Sequence, residues 1–179
     1  MKKIVVAVPV ILATVILTGC AGSTPSADFR KTLTSKDRLC EKDVTTVNLT
    51  TAQDVDMVEQ TKTRIAQKLT AAIEKKKKTV QCETLTPREY VLDAKITRYD
   101  EGNAFARAML AGLGQMHIDG EFKMAAKGQL EPATDFTLAK TFAWGGAYGA
   151  SVRIEDIENT FTESVAKVLV LEEQQAKGE

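Results

Sequence analysis

This chain of 179 residues has one histidine, three cysteines, one tryptophan and no excess of either charge. Each scarcity removes a class of chemistry. His117 has no second metal-binding side chain close in sequence and no nucleophile motif around it, so the usual base of triad catalysis has no partner in view. There is no Cys-x-x-Cys, which removes the common zinc and dithiol-redox patterns. Gly112 and Gly114 lack the lysine and hydroxyl of a phosphate-cradling loop, and no dinucleotide fingerprint follows a strand. The acidic pair Asp100-Glu101 falls in a turn, where aspartate is expected for conformational reasons alone. Balanced charge, 24 basic against 24 acidic residues, argues against nucleic acid, which selects strongly basic surfaces. The expectation is a protein that is not an enzyme, with no catalytic residue, metal or cofactor.

What is present begins at the N-terminus. Lys2 and Lys3 precede a charge-free, largely apolar run from Ile4 to Leu17, and small residues follow. That is the layout of a secretory signal peptide, and the run is short of the roughly 20 apolar residues that a bilayer span needs. The exit, Leu17-Thr18-Gly19-Cys20, resembles the lipobox of bacterial lipoproteins. The resemblance implies removal of residues 1–19, lipidation of the Cys20 thiol and acylation of its new amino group. Two or more acyl chains anchor stably where one does not. Ala21 after that cysteine, rather than Asp, resembles the pattern that sends lipoproteins to the outer membrane.

With Cys20 assigned to lipid, Cys40 and Cys82 remain. An exported chain meets an oxidising compartment, so these two are expected to pair, closing a loop worth roughly 3–4 kcal/mol in the chain-entropy model. The alternative is a reactive thiol or a metal ligand.

Residues 20–37 are rich in Gly, Ser, Thr and Pro with scattered charge and read as a flexible tether. The single domain is expected over 38–171, with a polar tail over 172–179. β-Branched residues mark a strand over Asp43–Thr50, and Thr51 with Asp54 resembles a helix start. From there Val55, Val58, Ile65, Leu69 and Ile73 share one face of an amphipathic helix that closes on Lys75-Lys76-Lys77-Lys78. Those lysines fit the helix dipole better than a lipid surface. Thr79–Cys82 reads as a short strand. Tyr90, Leu92, Ala94 and Ile96 alternate as the clearest strand, ending in the turn Asp100-Glu101-Gly102-Asn103. Strands follow over 118–126 and 136–144, with Lys140 an exception on the apolar face, and Ile154, Ile157, Phe161, Val165 and Leu169 mark a last helix. The sum is an α+β fold, an antiparallel sheet of about four strands with two amphipathic helices on one face. Between strands, residues 104–114 are small and apolar almost throughout, which fits either a buried helical turn or a contact surface. Phe105, Arg107, Met109, Leu110 and Leu113 are the candidate interaction residues.

The run Tyr90-x-Leu92-x-Ala94-x-Ile96-Thr97-x-Tyr99-Asp100-Glu101-Gly102-Asn103, with Arg107 and the pair Gly112/Gly114, resembles a family of bacterial lipoproteins known only as a domain of unknown function, family four-four-one-zero. This chain departs from that pattern at Ala94 and at Gln115-Met116-His117. No activity is implied. A small sheet with two helices on a lipid tether is similar, at fold level only, to the periplasmic modules of envelope assembly lipoproteins. The expected function is a non-enzymatic protein-binding or envelope-assembly accessory on the periplasmic side of the outer membrane. Its expected partners are an envelope protein or a copy of itself. The alternative is a carrier of a small ligand or lipid in a pocket between sheet and helices.

Overall fold

Period-two alternation over Tyr90–Thr97 places one strand at the heart of the molecule. In the computed structural model, which describes residues 27–83, 86–110 and 113–170, it belongs to a single five-stranded sheet. The strands are β1 (Ala27–Lys31), β2 (Val44–Thr51), β3 (Glu89–Asp100), β4 (Met116–Ala126) and β5 (Thr134–Phe142), in spatial order β1-β5-β4-β3-β2. The helices are α1 (Glu59–Lys77), α2 (Ala104–Met109), α3 (Gly146–Ser151) and α4 (Ile154–Val170). The leader, Cys20 and the polar tail lie outside the described residues.

The two-layer α+β arrangement is as expected, with a sheet that is mostly antiparallel. Three pairings are antiparallel. The fourth, β2 with β3, is parallel because α1 carries the chain back across the sheet before β3 begins. Long helices α1 and α4 pack on each other and against the sheet. The core lies between the layers, where Leu92, Ala94 and Ile96 of β3 meet Met116, Ile118, Phe122 and Met124 of β4 and Phe136 and Leu138 of β5. An aromatic line crosses it, with ring centroids 5.6 Å apart for Phe29–Phe136, 5.1 Å for Phe122–Phe136 and 5.8 Å for Phe122–Phe161. Gly120 leaves room for that line, since a Cβ there would sit 3.0 Å from the Phe122 ring. No helix among the described residues is long and apolar enough to cross a membrane.

Three expectations need correction. The stretch read as tether over 20–37 contributes β1, whose Phe29 enters the aromatic line while Arg30 pairs with Glu121 and Asp135 on the open face. Thr51 does not open the helix. It stays in β2 opposite Ile96, and the next residues turn over the sheet before α1 starts at Glu59. Thr79–Cys82 is no strand, for the amides of Thr79 and Val80 close turns on Lys76 and Lys77. Within the lysine run, Lys77 is buried and reaches Glu74 at 2.7 Å and the Asp43 carbonyl.

Cys40 and Cys82 are bridged, with Cα atoms 5.1 Å apart. Beside the bridge Asp43 is buried and accepts from the backbone N–H of Cys40 and from the Arg88 guanidinium at 2.6 and 3.0 Å. Burial pushes that carboxyl up, but Arg88 and two backbone N–H groups outweigh it and hold it below the usual carboxylate range. Both sulfurs are used in the bond, so Cys40, Asp43 and Cys82 serve as a structural staple rather than a metal centre.

Candidate interaction site

The turn after β3 is built residue by residue. Asp100 Oδ1 accepts the amide of Gly102, which turns the chain at φ +63°. Asn103 then caps α2, its Oδ1 accepting from the Ala106 amide at 2.9 Å. Returning, the chain passes Gly114 at φ +70°, and its carbonyl accepts from the Asn103 amide. A Cβ on Gly114 would come within 2.3 Å of the Asn103 carbonyl, and one on Gly102 equally close to that of Gln115. Only glycine allows the two passes to lie against each other.

Arg107 locks the assembly. It is 4% exposed. Its guanidinium donates to the carbonyls of Gly149 at 2.9 Å and Gly114 at 2.8 Å, and more weakly to those of Glu101 and Val152 at 3.4 and 3.3 Å. Four carbonyls from α2's own turn and from the α3 segment therefore converge on one cation, and α2 packs on α3. Contrary to the expectation of a contact residue, Arg107 is turned inward and positions the residues around it.

Those neighbours face solvent. Phe105 is 73% exposed, Met109 67%, Leu110 52% and Leu113 56%, and Tyr148 of α3 joins them at 63%. Trp144 stands edge-on to Tyr148 with ring centroids 5.9 Å apart. Of the two readings left open for residues 104–114, a buried helical turn does not hold for Phe105, Met109, Leu110 and Leu113. Most single exposed apolar residues need no explanation, but a lobe that turns its cation inward and its large apolar side chains outward does. Sequence reasoning missed Trp144 and Tyr148, since the strand expected over 136–144 ends at Phe142 and no local pattern marks the six-residue α3 that packs against α2.

Behind the lobe a cavity of about 500 Å³ opens, walled by Phe142, Trp144, Tyr148, Val152 and Ile157 with Lys140 among the lining. Burial lowers the pKa of the Lys140 ammonium. His117 lies elsewhere, on the open face of the sheet, with Nδ1 3.0 Å from Thr141 Oγ1 in a directly opposed cross-strand pair. Burial and then the nearby Arg98 lower its pKa.

A second polar cluster went unseen in the sequence. Glu158 of α4 is fully buried and takes a bidentate bond from Arg64 at 3.0 and 2.8 Å, a bond from Lys68 at 2.8 Å and one from the Tyr99 hydroxyl at 2.9 Å. Burial pushes its carboxyl up, yet these donors win and hold it low, while burial and the adjacent carboxylate raise Tyr99. The signal was there, because Glu158 is the acid on the buried stripe of Ile154, Ile157 and Phe161. The cluster clamps α1 to α4 and β3 and opens no surface.

Fold and lobe together define an α+β module with an exposed apolar lobe beside its sheet. Residues 26–146 match the family model Domain of unknown function (DUF4410). The chain belongs to that family. The Asp100–Asn103 turn, Arg107 and Gly114 lie within the match. Among solved structures the chain is similar to a PelC dodecamer from Paraburkholderia phytofirmans that carries a single leucine-to-methionine substitution. The TM-score is 0.54 at 9% identity, over 83% of this chain and 99% of that one. It is also similar to a second PelC dodecamer structure from the same organism, with a TM-score of 0.51 at 10% identity and the same coverage. At that identity the likeness is one of fold. No curated protein matches the chain.

Proposed function

We propose that this protein is a non-enzymatic, lipid-anchored accessory of the cell envelope that docks a protein partner, or a further copy of itself, through the α2–α3 lobe. The observation that carries the reading is the outward cluster of Phe105, Met109, Leu110, Leu113 and Tyr148 on a lobe held rigid by Arg107. Covering one such side chain is worth about 1.5–3 kcal/mol, so a handful can anchor an interface. That two similar folds are described as dodecamers supports self-association as one form of this docking. The lipobox-like Leu17-Thr18-Gly19-Cys20 supports the anchor, and Ala21 supports the periplasmic face of the outer membrane. Ala27, where β1 begins, follows Cys20 closely in sequence, so on this reading the domain stays within roughly 25 Å of the lipid surface.

The test is crosslinking in membranes with wild type and Leu110→Asp. The variant is expected to stay folded, since Leu110 is half exposed, and to lose its crosslinked partner. A folded variant that keeps every adduct would overturn the reading. The cavity behind the lobe favours a second reading, a carrier of a small ligand or lipid, with aromatic walls for its apolar part. A stoichiometric lipid or small acid retained through purification would favour it.

A further inference from the structure

The two outer strands of the sheet are guarded very differently. β1 is five residues long, its register shifts between Phe29 and Lys31, and Arg30 and Lys31 stand along it. Short length, a bulge and charge are the features that keep a sheet edge from pairing with another chain. β2 has none of them. Its eight residues, Val44-Thr45-Thr46-Val47-Asn48-Leu49-Thr50-Thr51, contain no charge, no proline and no glycine, and they pair with β3 without irregularity.

The backbone shows which groups face outward. The amides of Val44 and Ala52 donate to Arg88 and Ile96 on the β3 side, each at 2.8 Å. With a period of two, the amides of residues 44, 46, 48 and 50 point toward β3, and those of Thr45, Val47, Leu49 and Thr51 point away. No partner meets these four among the described residues.

We propose that this edge is a second docking surface whose occupant is β2 of another copy, paired antiparallel about a two-fold axis through Asn48. The register follows from the outward amides. In an antiparallel pair, residues that exchange hydrogen bonds must both face the partner. Centring on Asn48 sets Thr45 against Thr51 and Val47 against Leu49, so all four outward residues of each copy are used. Centring on Val47 leaves Thr51 without a strand partner. The Asn48 register also keeps the half-buried Val47 and Leu49 on the helix-bearing side of both sheets. An uncharged strand meets its own copy without repulsion, whereas β1 would bring Arg30 and Lys31 against themselves. A symmetric contact of this kind closes on two copies. It is separate from the α2–α3 lobe, so it stands or falls independently of the function proposed above.

The test is disulfide trapping in the full-length chain. Asn48 sits at a non-hydrogen-bonded pair, where opposed Cα atoms are about 4.5 Å apart, close enough for a bridge. Asn48→Cys is expected to give a linked dimer on oxidation. Thr46→Cys alone is expected to give little, since its opposite number is Thr50, and an equal mixture of Thr46→Cys and Thr50→Cys is expected to restore the link. Asn48→Lys keeps a partner for its ammonium in Asp93, which Asn48 now contacts at 3.0 Å, so the fold is expected to survive. It places two like charges face to face and is expected to lower the dimer fraction about tenfold in sedimentation. Asn48→Cys that stays monomeric, links to a different protein instead, or links no better than Thr46→Cys overturns the proposal. So does Asn48→Lys with unchanged self-association. Leu110→Asp is expected to leave the Asn48→Cys link intact, which separates failure here from failure of the lobe.

Discussion

Replacing Arg107 with Leu removes the cation on which four carbonyls converge while leaving most of its apolar stem. Two of its bonds are short, to Gly149 and Gly114, and two are long. A hydrogen bond to a charged group contributes about 1.5–3 kcal/mol, and the long pair adds little, so the loss is about 3–6 kcal/mol. Where it registers matters more than its size. α2 and α3 pack chiefly on each other rather than on α1, α4 or the sheet. The cost is therefore expected to appear as local opening of the lobe, with the main core intact. Hydrogen exchange resolves this. The amides of Arg107, Leu110 and Gly149, which donate to Asn103, Ala106 and Gly145, are expected to exchange roughly 10²–10⁴-fold faster, up to the unprotected rate. Amides of β3, β4 and β5 should not change. Unchanged lobe protection would refute the locking role, and uniform loss across the sheet would show that Arg107 supports the whole core.

Other outcomes follow from the same contacts. Glu158→Gln is expected to destabilise the fold by about 2–4 kcal/mol at neutral pH in urea denaturation, since it breaks a buried carboxylate from Arg64, Lys68 and Tyr99. Glu158's folded pKa is depressed, so its contribution is whole above the unfolded value of about 4.3 and fades as pH falls through the lower folded value. The gap between wild type and variant should therefore narrow in acid, and a gap that widens would contradict the assignment. Replacing Cys40 and Cys82 together with serine is expected to cost roughly 4 kcal/mol, read from the same denaturation midpoints. Gly114→Ala is expected to lower the melting temperature and to deprotect α2, because its Cβ meets the Asn103 carbonyl.

The parts of the fold legible in the sequence were those with local periodicity. Tyr90, Leu92, Ala94 and Ile96 face the core as their alternation predicts, and the α4 stripe is buried as its spacing predicts. β1 was hidden because Ala-Asp-Phe-Arg-Lys has only two apolar residues, and what recruits it is Phe136 and Glu121 about a hundred residues away. The helix start was misplaced because Thr51 has two good local roles, strand end and cap, and the Ile96 partner decides between them. The contact lobe was half legible. Residues 104–114 announced their apolar character, but the direction of Arg107 depends on where α3 places the Gly149 carbonyl, which no spacing rule reveals.

The lobe's role is tested most directly by a photo-crosslinking side chain at Phe105 in membranes, with the same group at Lys95 on the open sheet face as reference. The account predicts a discrete adduct from position 105, lost with Leu110→Asp, and none from position 95. A folded protein that gives no adduct at 105, or the same adducts from both positions, would contradict it.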